Sequence, residues 1–155
     1  MAYDIYEGFQ QRKETVVAAL DLEDAYNRVN FGRLVDCLLH FDVDVWLTRW
    51  VAAALMERKV VLRQGMRTSD PMAISPGLPQ GSPLSPVLFN VYTAKITQEQ
   101  MRPGRTLSFA DDITVYEQGH DRLQMAKNVE ARMRSVVAWC EENEAVINPE
   151  KAQVL

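Results

Sequence analysis

The chain has 155 residues, of which 47% are apolar and 25% are charged, a composition typical of globular proteins that excludes a disordered or collagen-like chain. Its 17 basic and 21 acidic residues give a net charge of −4, which argues against a protein that binds nucleic acid through a basic surface alone. Two distant cysteines, Cys37 and Cys140, predict reduced, buried thiols in an intracellular protein, and no apolar run approaches the roughly 20 residues of a membrane span.

Strand and helix patterns alternate in the first third of the chain. Residues 15–22 (TVVAALDL) form a β-branched apolar run that is long enough for a buried strand. Asn30 or Asn27 can cap a helix that extends to about residue 40. Asp44 can cap a second helix, because the apolar residues after it recur at helical spacing. This part of the chain therefore predicts a strand followed by two helices.

The middle of the chain combines short strands with a segment rich in glycine and proline. Residues 59–64 and 72–75 predict the two arms of a hairpin. The segment 77–86 (GLPQGSPLSP) contains two Ser-Pro pairs, and each pair suits the start of a helix. We therefore expect a loop that is followed by a helix over about residues 84–98.

The last third of the chain predicts a hairpin, a long helix and a final short strand. Residues 105–109 and 113–117 are apolar strands, with two acids at the tip between them. Apolar residues recur at helical spacing over residues 121–143, and residues 145–147 predict the last strand. The order of elements predicts an α+β fold, in which an antiparallel, ferredoxin-like sheet of the βαββαβ kind has helices packed on one face.

Three acidic residues stand at the ends of predicted strands. Asp21 ends the first strand, and Asp111 and Asp112 occupy the tip of the later hairpin. Carboxylates in apolar surroundings are costly unless they are compensated, and a divalent cation can compensate them. Because no histidine or cysteine has zinc-site spacing, the oxygen ligands favour Mg²⁺ or Mn²⁺ over zinc. Antiparallel packing of the strands could bring the acids together around two metal ions, the arrangement used for in-line phosphoryl transfer.

The same acids also have an ordinary structural interpretation. An Asp-Asp pair is common in turns, because an aspartate side chain accepts hydrogen bonds from the backbone of the turn. A single aspartate at a strand end is also common. The metal-site hypothesis therefore depends on the other motifs of the chain.

Four motifs follow one another along the chain, namely residues 19–29 (ALDLEDAYNRV), 77–86 (GLPQGSPLSP), 108–112 (SFADD) and 147–155 (INPEKAQVL). Together they resemble the palm motifs of reverse transcriptases, most closely those of non-LTR (LINE-type) retrotransposons. The resemblance extends from about residue 15 to the end of the chain. Phe109 stands where the family often has tyrosine, so the ring is kept and the hydroxyl is missing.

The resemblance implies a catalytic centre with two Mg²⁺ ions, for which Mn²⁺ is an alternative. The implied metal ligands are Asp21, Leu22 (through its carbonyl oxygen), Asp111 and Asp112. The three aspartates would be the catalytic acids, with Asp112 supporting the other two. Lys151 would be a further catalytic residue near the leaving pyrophosphate, as a proton donor or a stabiliser of charge.

The resemblance also implies a set of substrate-binding residues, which are Leu22, Asp24, Ala25, Tyr26, Gln80, Gly81 and Phe109. The backbone around Asp24 would approach the triphosphate. Tyr26 would lie under the sugar, where a large ring excludes a 2′-hydroxyl; without the resemblance, an ordinary core tyrosine is a serious alternative. Gln80 and Gly81 would line the nucleotide and template pocket, because glycine allows close approach.

The implied function is RNA-directed DNA synthesis, in which deoxynucleotides are transferred to a primer 3′-hydroxyl on an RNA template. The implied partners are an RNA template, a DNA primer and deoxynucleoside triphosphates, in the nucleus or cytoplasm and away from membranes. Residues 1–155 are expected to be a partial palm of a retrotransposon protein, separated from most of the fingers and all of the thumb of that parent protein.

Two alternatives remain open on the sequence alone. The chain could be a non-catalytic remnant or interaction module that is inactive in isolation. It could also be a metal-dependent phosphohydrolase built on Asp21 and Asp111, although no residue is an obvious base for activating water.

Overall fold

A computed structural model describes residues 1–56, 58–74, 77–98 and 104–155. Their helices and strands are α1 (Ala2–Gln10), β1 (Glu14–Asp21), α2 (Phe31–His40), α3 (Val45–Leu55), β2 (Lys59–Val60), β3 (Arg63–Gln64), β4 (Arg67–Thr68), β5 (Met72–Ala73), α4 (Ser85–Gln98), β6 (Arg105–Phe109), β7 (Asp112–Gly119), α5 (Arg122–Glu142) and β8 (Gln153–Val154). They form two compact units, the first from Met1–Ala25 and Thr93–Leu155, the second from Tyr26–Tyr92.

The first unit is built on a four-stranded antiparallel sheet in the order β6-β7-β1-β8. The two central strands, β1 and β7, are paired along their whole length, from Glu14 opposite Gly119 to Asp21 opposite Asp112. Their apolar residues supply much of the core, since Ala18 and Val115 are fully buried. When α1 and the elements from α2 to β5 are left out, the remaining elements β1, α4, β6, β7, α5 and β8 follow the βαββαβ order. The predicted α+β fold with an antiparallel sheet is confirmed.

Helices cover both faces of this sheet. On one face, Asn128 of α5 donates a hydrogen bond to the buried carboxylate of Glu117 over 2.7 Å. On the other face, the hydroxyl of Tyr116 donates to the carboxylate of Asp4 in α1, and Gln118 Nε2 donates to the Asp4 carbonyl oxygen over 2.8 Å. Neighbouring residues of a strand point to opposite faces, so α1 lies opposite α5. The sequence predicted helices on one face of the sheet, and α1, which was not predicted, adds a helix on the other face.

The second unit contains the two helices that were predicted from their caps. The side chain of Asn30 accepts a hydrogen bond from the Arg33 amide over 3.2 Å, so Asn30 rather than Asn27 caps α2. Asp44 accepts from the amide of Trp46 over 2.8 Å and thereby begins α3. Each cap satisfies amides that have no partner inside the helix.

The predicted hairpin of residues 59–64 and 72–75 is divided into two short ladders. Lys59 pairs with Ala73, whereas Arg63 pairs with Thr68, so the returning arm holds one more residue than the outgoing arm. This extra residue lies near Asp70 and Pro71 and forms a bulge that interrupts the strands. Of the predicted arm, Ser75 lies outside the described residues.

The predicted last strand, residues 145–147, was wrong in its position. Ile147 makes only a single bridge to Leu22, and the strand that completes the sheet is β8, after the turn. Asn148-Pro149 interrupts the pairing, since proline has no amide hydrogen to donate. In the part of the chain that is described, no helix is long and apolar enough to cross a membrane.

The contact of Asp4 with Tyr116 predicts how stability depends on pH. The Tyr116 hydroxyl, with help from Arg105, lowers the pKa of Asp4 below its usual value. A lowered pKa adds stability above about pH 3.9, and this stability is lost as the pH falls through the folded-state pKa. We expect Tyr116→Phe to lower Tm at pH 7 by about 2–4 °C, with a smaller deficit at pH 3. Thermal unfolding at both pH values tests this.

Tyr3→Phe is the matched control, because Tyr3 lies beside Asp4 in α1 but is 75% exposed. It should change Tm at neither pH. A Tyr116→Phe deficit of equal size at pH 3 and pH 7 would show that the hydroxyl acts on packing and not on the charge of Asp4.

Candidate active site

The predicted acids meet at one end of the central strand pair. Asp21, the last residue of β1, lies directly opposite Asp112, the first residue of β7. Directly opposed residues of antiparallel strands have their Cβ atoms about 5 Å apart on the same face. The Leu22 amide donates a hydrogen bond over 3.0 Å to the carbonyl oxygen of Asp111. Four residues that are predicted metal ligands are therefore neighbours in the first unit.

The acids of the hairpin project from a tight turn. Phe109 pairs with Asp112, which leaves only Ala110 and Asp111 in the turn. Ala110 has a φ of 52°, a left-handed conformation that costs an alanine roughly 1–2 kcal/mol. Backbone strain of this kind is concentrated at functional sites. Phe109 beside the turn is 83% exposed, so its ring is available to a ligand.

The C-terminal segment runs along the other edge of β1. The Asn148 amide donates to the carbonyl oxygen of Asp21 over 2.8 Å, and Gln153 pairs with Ala19 further on. The five residues 148–152 therefore lie opposite only two residues of β1. They form a loop beside Asp21 that is fastened at both ends, and the Asn148 side chain supports it by accepting from the Glu150 amide over 3.1 Å.

Lys151 lies in this loop and contacts Asp21 directly. Its Nζ is 3.2 and 3.1 Å from the two carboxylate oxygens of Asp21. The side chain of Asp21 is 15% exposed and that of Lys151 is 63% exposed, so the carboxylate is largely enclosed and the ammonium faces solvent. The sequence singled out both residues, but it gave no reason to expect this contact.

The donor chemistry of the site fits a divalent cation. Asp21, Asp111 and Asp112 offer carboxylate oxygens, which Mg²⁺ and Mn²⁺ prefer. Both carboxylate oxygens of Asp21 already contact a positive charge, the ammonium of Lys151. Within residues 1–56, 58–74, 77–98 and 104–155, no three carboxylate, imidazole or thiol groups converge as a ready-made metal cage.

The loop that leads to Gln80 and Gly81 begins beside Tyr26 in the second unit. The Leu78 amide donates to the carbonyl oxygen of Tyr26 over 2.7 Å. A Cβ atom on Gly77 would lie 2.5 Å from the Cα atom of Asn27, and Gly77 has a φ of 106°. Only glycine permits this backbone conformation and this close approach. The start of the 77–86 motif is therefore packed against the end of the 19–29 motif.

The Tyr26 ring has a defined packing partner. It is half-buried and stacks on the buried ring of Phe89, with centroids 4.9 Å apart and an interplanar angle of 16°. Arg58, which no sequence motif singles out, donates hydrogen bonds to the carbonyl oxygens of Gly77 and Leu55 and so fixes the start of the motif loop. Residues 58–67 contain several basic side chains, and nothing in the sequence distinguishes Arg58 from the others.

The remaining predicted residues are accessible. Gln80 and Gly81 are exposed in the second unit, and Gly81 has a φ of 84°. In the first unit, Asp24 is exposed with a φ of 51°, and Ala25 is half-buried. The predicted residues thus divide between the two units. The metal ligands, Lys151, Asp24, Ala25 and Phe109 lie in the first unit, and Tyr26, Gln80 and Gly81 lie in the second.

Comparison with known proteins identifies the family. A family model described as reverse transcriptase (RNA-dependent DNA polymerase) matches residues 3–155. The chain belongs to the reverse transcriptase family. Curated relatives agree with the predicted non-LTR type. The chain is 27% identical over 146 residues to a Pol polyprotein from the type-1 retrotransposable element R2 of Popillia japonica, covering 87% of this chain and 23% of that protein.

Two relatives from Drosophila melanogaster are similar to a comparable degree. The probable RNA-directed DNA polymerase from transposon BS is 24% identical, with 95% of this chain and 17% of that protein covered. The polymerase from mobile element jockey is 26% identical, with 94% and 16% covered. The chain therefore spans about a fifth of the length of its curated relatives.

Solved telomerase structures share the fold. Apo telomerase from Candida tropicalis, truncated from its C-terminal domain, matches with a TM-score of 0.70 and 15% identity over 99% of this chain and 33% of that one. Telomerase from Candida albicans, solved with a TWJ fragment of telomeric RNA, matches with a TM-score of 0.70 and 12% identity over 99% and 29%. Members of the reverse transcriptase family generally use divalent metal ions.

The close approach of Gly77 to Asn27 predicts a large effect of a small substitution. We expect Gly77→Ala to lower the free energy of unfolding by roughly 2 kcal/mol or more, because the new methyl group meets backbone that cannot move aside. Chemical denaturation measures the change. Gly81→Ala is the control, since a Cβ atom there meets nothing within 4 Å and only the positive φ is strained. It should cost about 1 kcal/mol; equal losses in both variants would contradict the close contact.

Proposed function

We propose that this chain is the palm of an RNA-directed DNA polymerase of a non-LTR retrotransposon, and that it transfers deoxynucleotides to a primer 3′-hydroxyl on an RNA template. The observation that carries the proposal is the register that sets Asp21 opposite Asp112, with Asp111 bonded to Leu22 through the backbone. A phosphoryl-transfer centre needs carboxylates from separate strands at one point. The family membership supplies the reaction class.

The carboxylates are the binding groups of the proposed mechanism. Asp21, Asp111 and the Leu22 carbonyl oxygen would hold two Mg²⁺ ions, or Mn²⁺ in their place, and Asp112 would support them from the facing strand. When bound, such ions supply the positive charge that favours ionisation of the primer hydroxyl and neutralises the triphosphate. The strained turn keeps Asp111 at the tip of the hairpin without reorganisation, which is how positioned charge accelerates phosphoryl transfer.

The other motif residues would position the substrates. Tyr26, held by its stack on Phe89, would present a rigid ring to the sugar and exclude a 2′-hydroxyl. The exposed Phe109 would contact the nucleotide at the primer end. The exposed backbone around Asp24 would approach the triphosphate, and Gln80 and Gly81 would line the pocket for base and template. Lys151 would act on the leaving pyrophosphate.

The hairpin of the second unit offers basic groups to the template. Lys59, Arg63 and Arg67 are exposed there, against one exposed acid, Asp70. This local excess of positive charge contrasts with the net charge of −4 for the chain and suits phosphate contacts. The proposed partners are accordingly an RNA template, a DNA primer and deoxynucleoside triphosphates.

A larger protein would complete the machinery. The chain spans 16–23% of the length of the retrotransposon proteins that it resembles, so we propose a partial palm that works with the fingers and thumb of its parent protein. Such a protein would copy RNA in the nucleus or the cytoplasm. A non-catalytic remnant or interaction module is the alternative, and primer extension distinguishes the two.

The first test concerns the metal-ligand aspartate. In a polymerase that carries this chain as its palm, Asp111→Asn should reduce Mg²⁺-dependent primer extension on an RNA template at least about 100-fold, because a ligand charge at the reacting phosphate is removed. Asp36→Asn, an exposed aspartate of α2, is the charge-matched control and should extend primers normally. Equal extension by both variants would refute the site. A folded wild-type polymerase that incorporates nothing would favour the remnant.

The second test concerns the sugar. Tyr26→Val should relax discrimination against ribonucleotides by about tenfold or more, because the ring that meets the 2′-hydroxyl is lost. Tyr26→Phe keeps both the ring and the stack on Phe89 and should discriminate like wild type. The ratio of kcat/KM values for a deoxynucleotide and its ribonucleotide is measured for each. Unchanged discrimination in Tyr26→Val would mean that this ring serves packing alone.

A further inference from the structure

The pairing of Lys151 with Asp21 has a consequence for the affinity of the site for cations. The ammonium lies 3.1–3.2 Å from both Asp21 oxygens, which is the position of a cation held by both oxygens of a carboxylate at once. Two positive charges cannot share this position without strong repulsion. A metal ion that is held by both Asp21 oxygens therefore displaces Lys151 from this position.

The loop around Lys151 allows such a displacement. Asn148 is bonded to the Asp21 carbonyl oxygen at one end and Gln153 is paired with Ala19 at the other, so the backbone stays attached to β1. The Lys151 side chain between these points is 63% exposed and has solvent to move into. The flexible lysine stem can leave the carboxylate while the loop remains in place.

We propose that Lys151 is an internal counter-cation of Asp21, which competes with divalent metal ions and is released from the carboxylate when a metal ion binds. This inference rests on the proposed function, because it takes Asp21 to be a metal ligand. It deepens that function by coupling two events. Metal binding releases the ammonium from Asp21. The lysine is therefore free to act on the leaving pyrophosphate only when the site holds metal.

The contact with Lys151 also reduces the repulsion between the neighbouring acids. Asp21 faces Asp112 across the ladder, and like charges directly opposite each other destabilise a sheet. The Lys151 ammonium offsets that repulsion with a charge-assisted contact to both oxygens. The same side chain therefore stabilises the centre and lowers its affinity for metal.

Mg²⁺ affinity measured by titration calorimetry tests the inference on the 155-residue chain. Lys151→Met should bind Mg²⁺ about two- to fivefold more tightly than wild type, the range expected for an exposed ion pair. Lys151→Arg keeps a positive charge beside Asp21, on a planar guanidinium in place of the ammonium, and should bind Mg²⁺ no more tightly than wild type. Lys127→Met removes an exposed lysine of α5 and controls for the change in net charge. Circular dichroism confirms that each variant is folded.

Asp111→Asn separates the two ideas. If Asp111→Asn weakens Mg²⁺ binding while Lys151→Met and Lys151→Arg both match wild type, the metal site stands and the counter-cation role is refuted. If Asp111→Asn leaves binding unchanged, the metal site of the proposed function fails. Tighter binding by Lys151→Met alone, with weaker binding by Asp111→Asn, supports both. If Lys127→Met increased Mg²⁺ affinity as much as Lys151→Met does, the change in net charge alone would explain the effect, and the inference would be overturned.

Discussion

The candidate site depends on the backbone hydrogen bonds that β1 makes on both of its edges. On one edge, full pairing with β7 brings Asp112 opposite Asp21. On the other edge, the C-terminal segment bonds to Asp21 through Asn148, which brings Lys151 to the same carboxylate. Residues that are about 90 and 130 positions away in sequence thus meet Asp21 through one central strand, and a shift of register by one residue would turn every side chain of β1 to the opposite face.

The charge distribution follows from this ladder. Burying an acid at the end of a strand costs desolvation energy. Three acids at one end of the β1–β7 pair raise that cost, because their like charges repel one another. The structure reduces the cost in two ways. Asp112 is exposed, so water screens its charge, and Asp21, at 15% exposure, is paired with an ammonium. The enclosed carboxylate is the one that has the lysine.

Local sequence patterns predicted most of the helices and strands. They did not predict which distant segments pair with each other. The caps Asn30 and Asp44 work through amides within three residues, so the sequence alone identified α2 and α3. The place of the last strand depended on how β1 pairs with a segment 130 residues away, and residues 145–147 were chosen wrongly because their apolar pattern says nothing about that partner. Helix α1 was missed for the same reason, since its hold on the sheet comes from Tyr116 and Gln118.

The site residues divide in the same way. The motifs identified Asp21, Asp111, Asp112 and Lys151 by chemistry and order. In the first unit, Asp21 lies opposite Asp112 and contacts Lys151, and Asp111 precedes Asp112 in the turn. The contact that sets their electrostatics arises from an unequal loop, because five residues, 148–152, lie opposite two residues of β1 and carry the lysine back over the carboxylate. The length of this loop is set by which residues of the C-terminal segment pair with β1, and the composition of the loop does not predict that pairing. The residue types of this centre can therefore be identified from the sequence, whereas the contact between Lys151 and Asp21 depends on the pairing of distant segments.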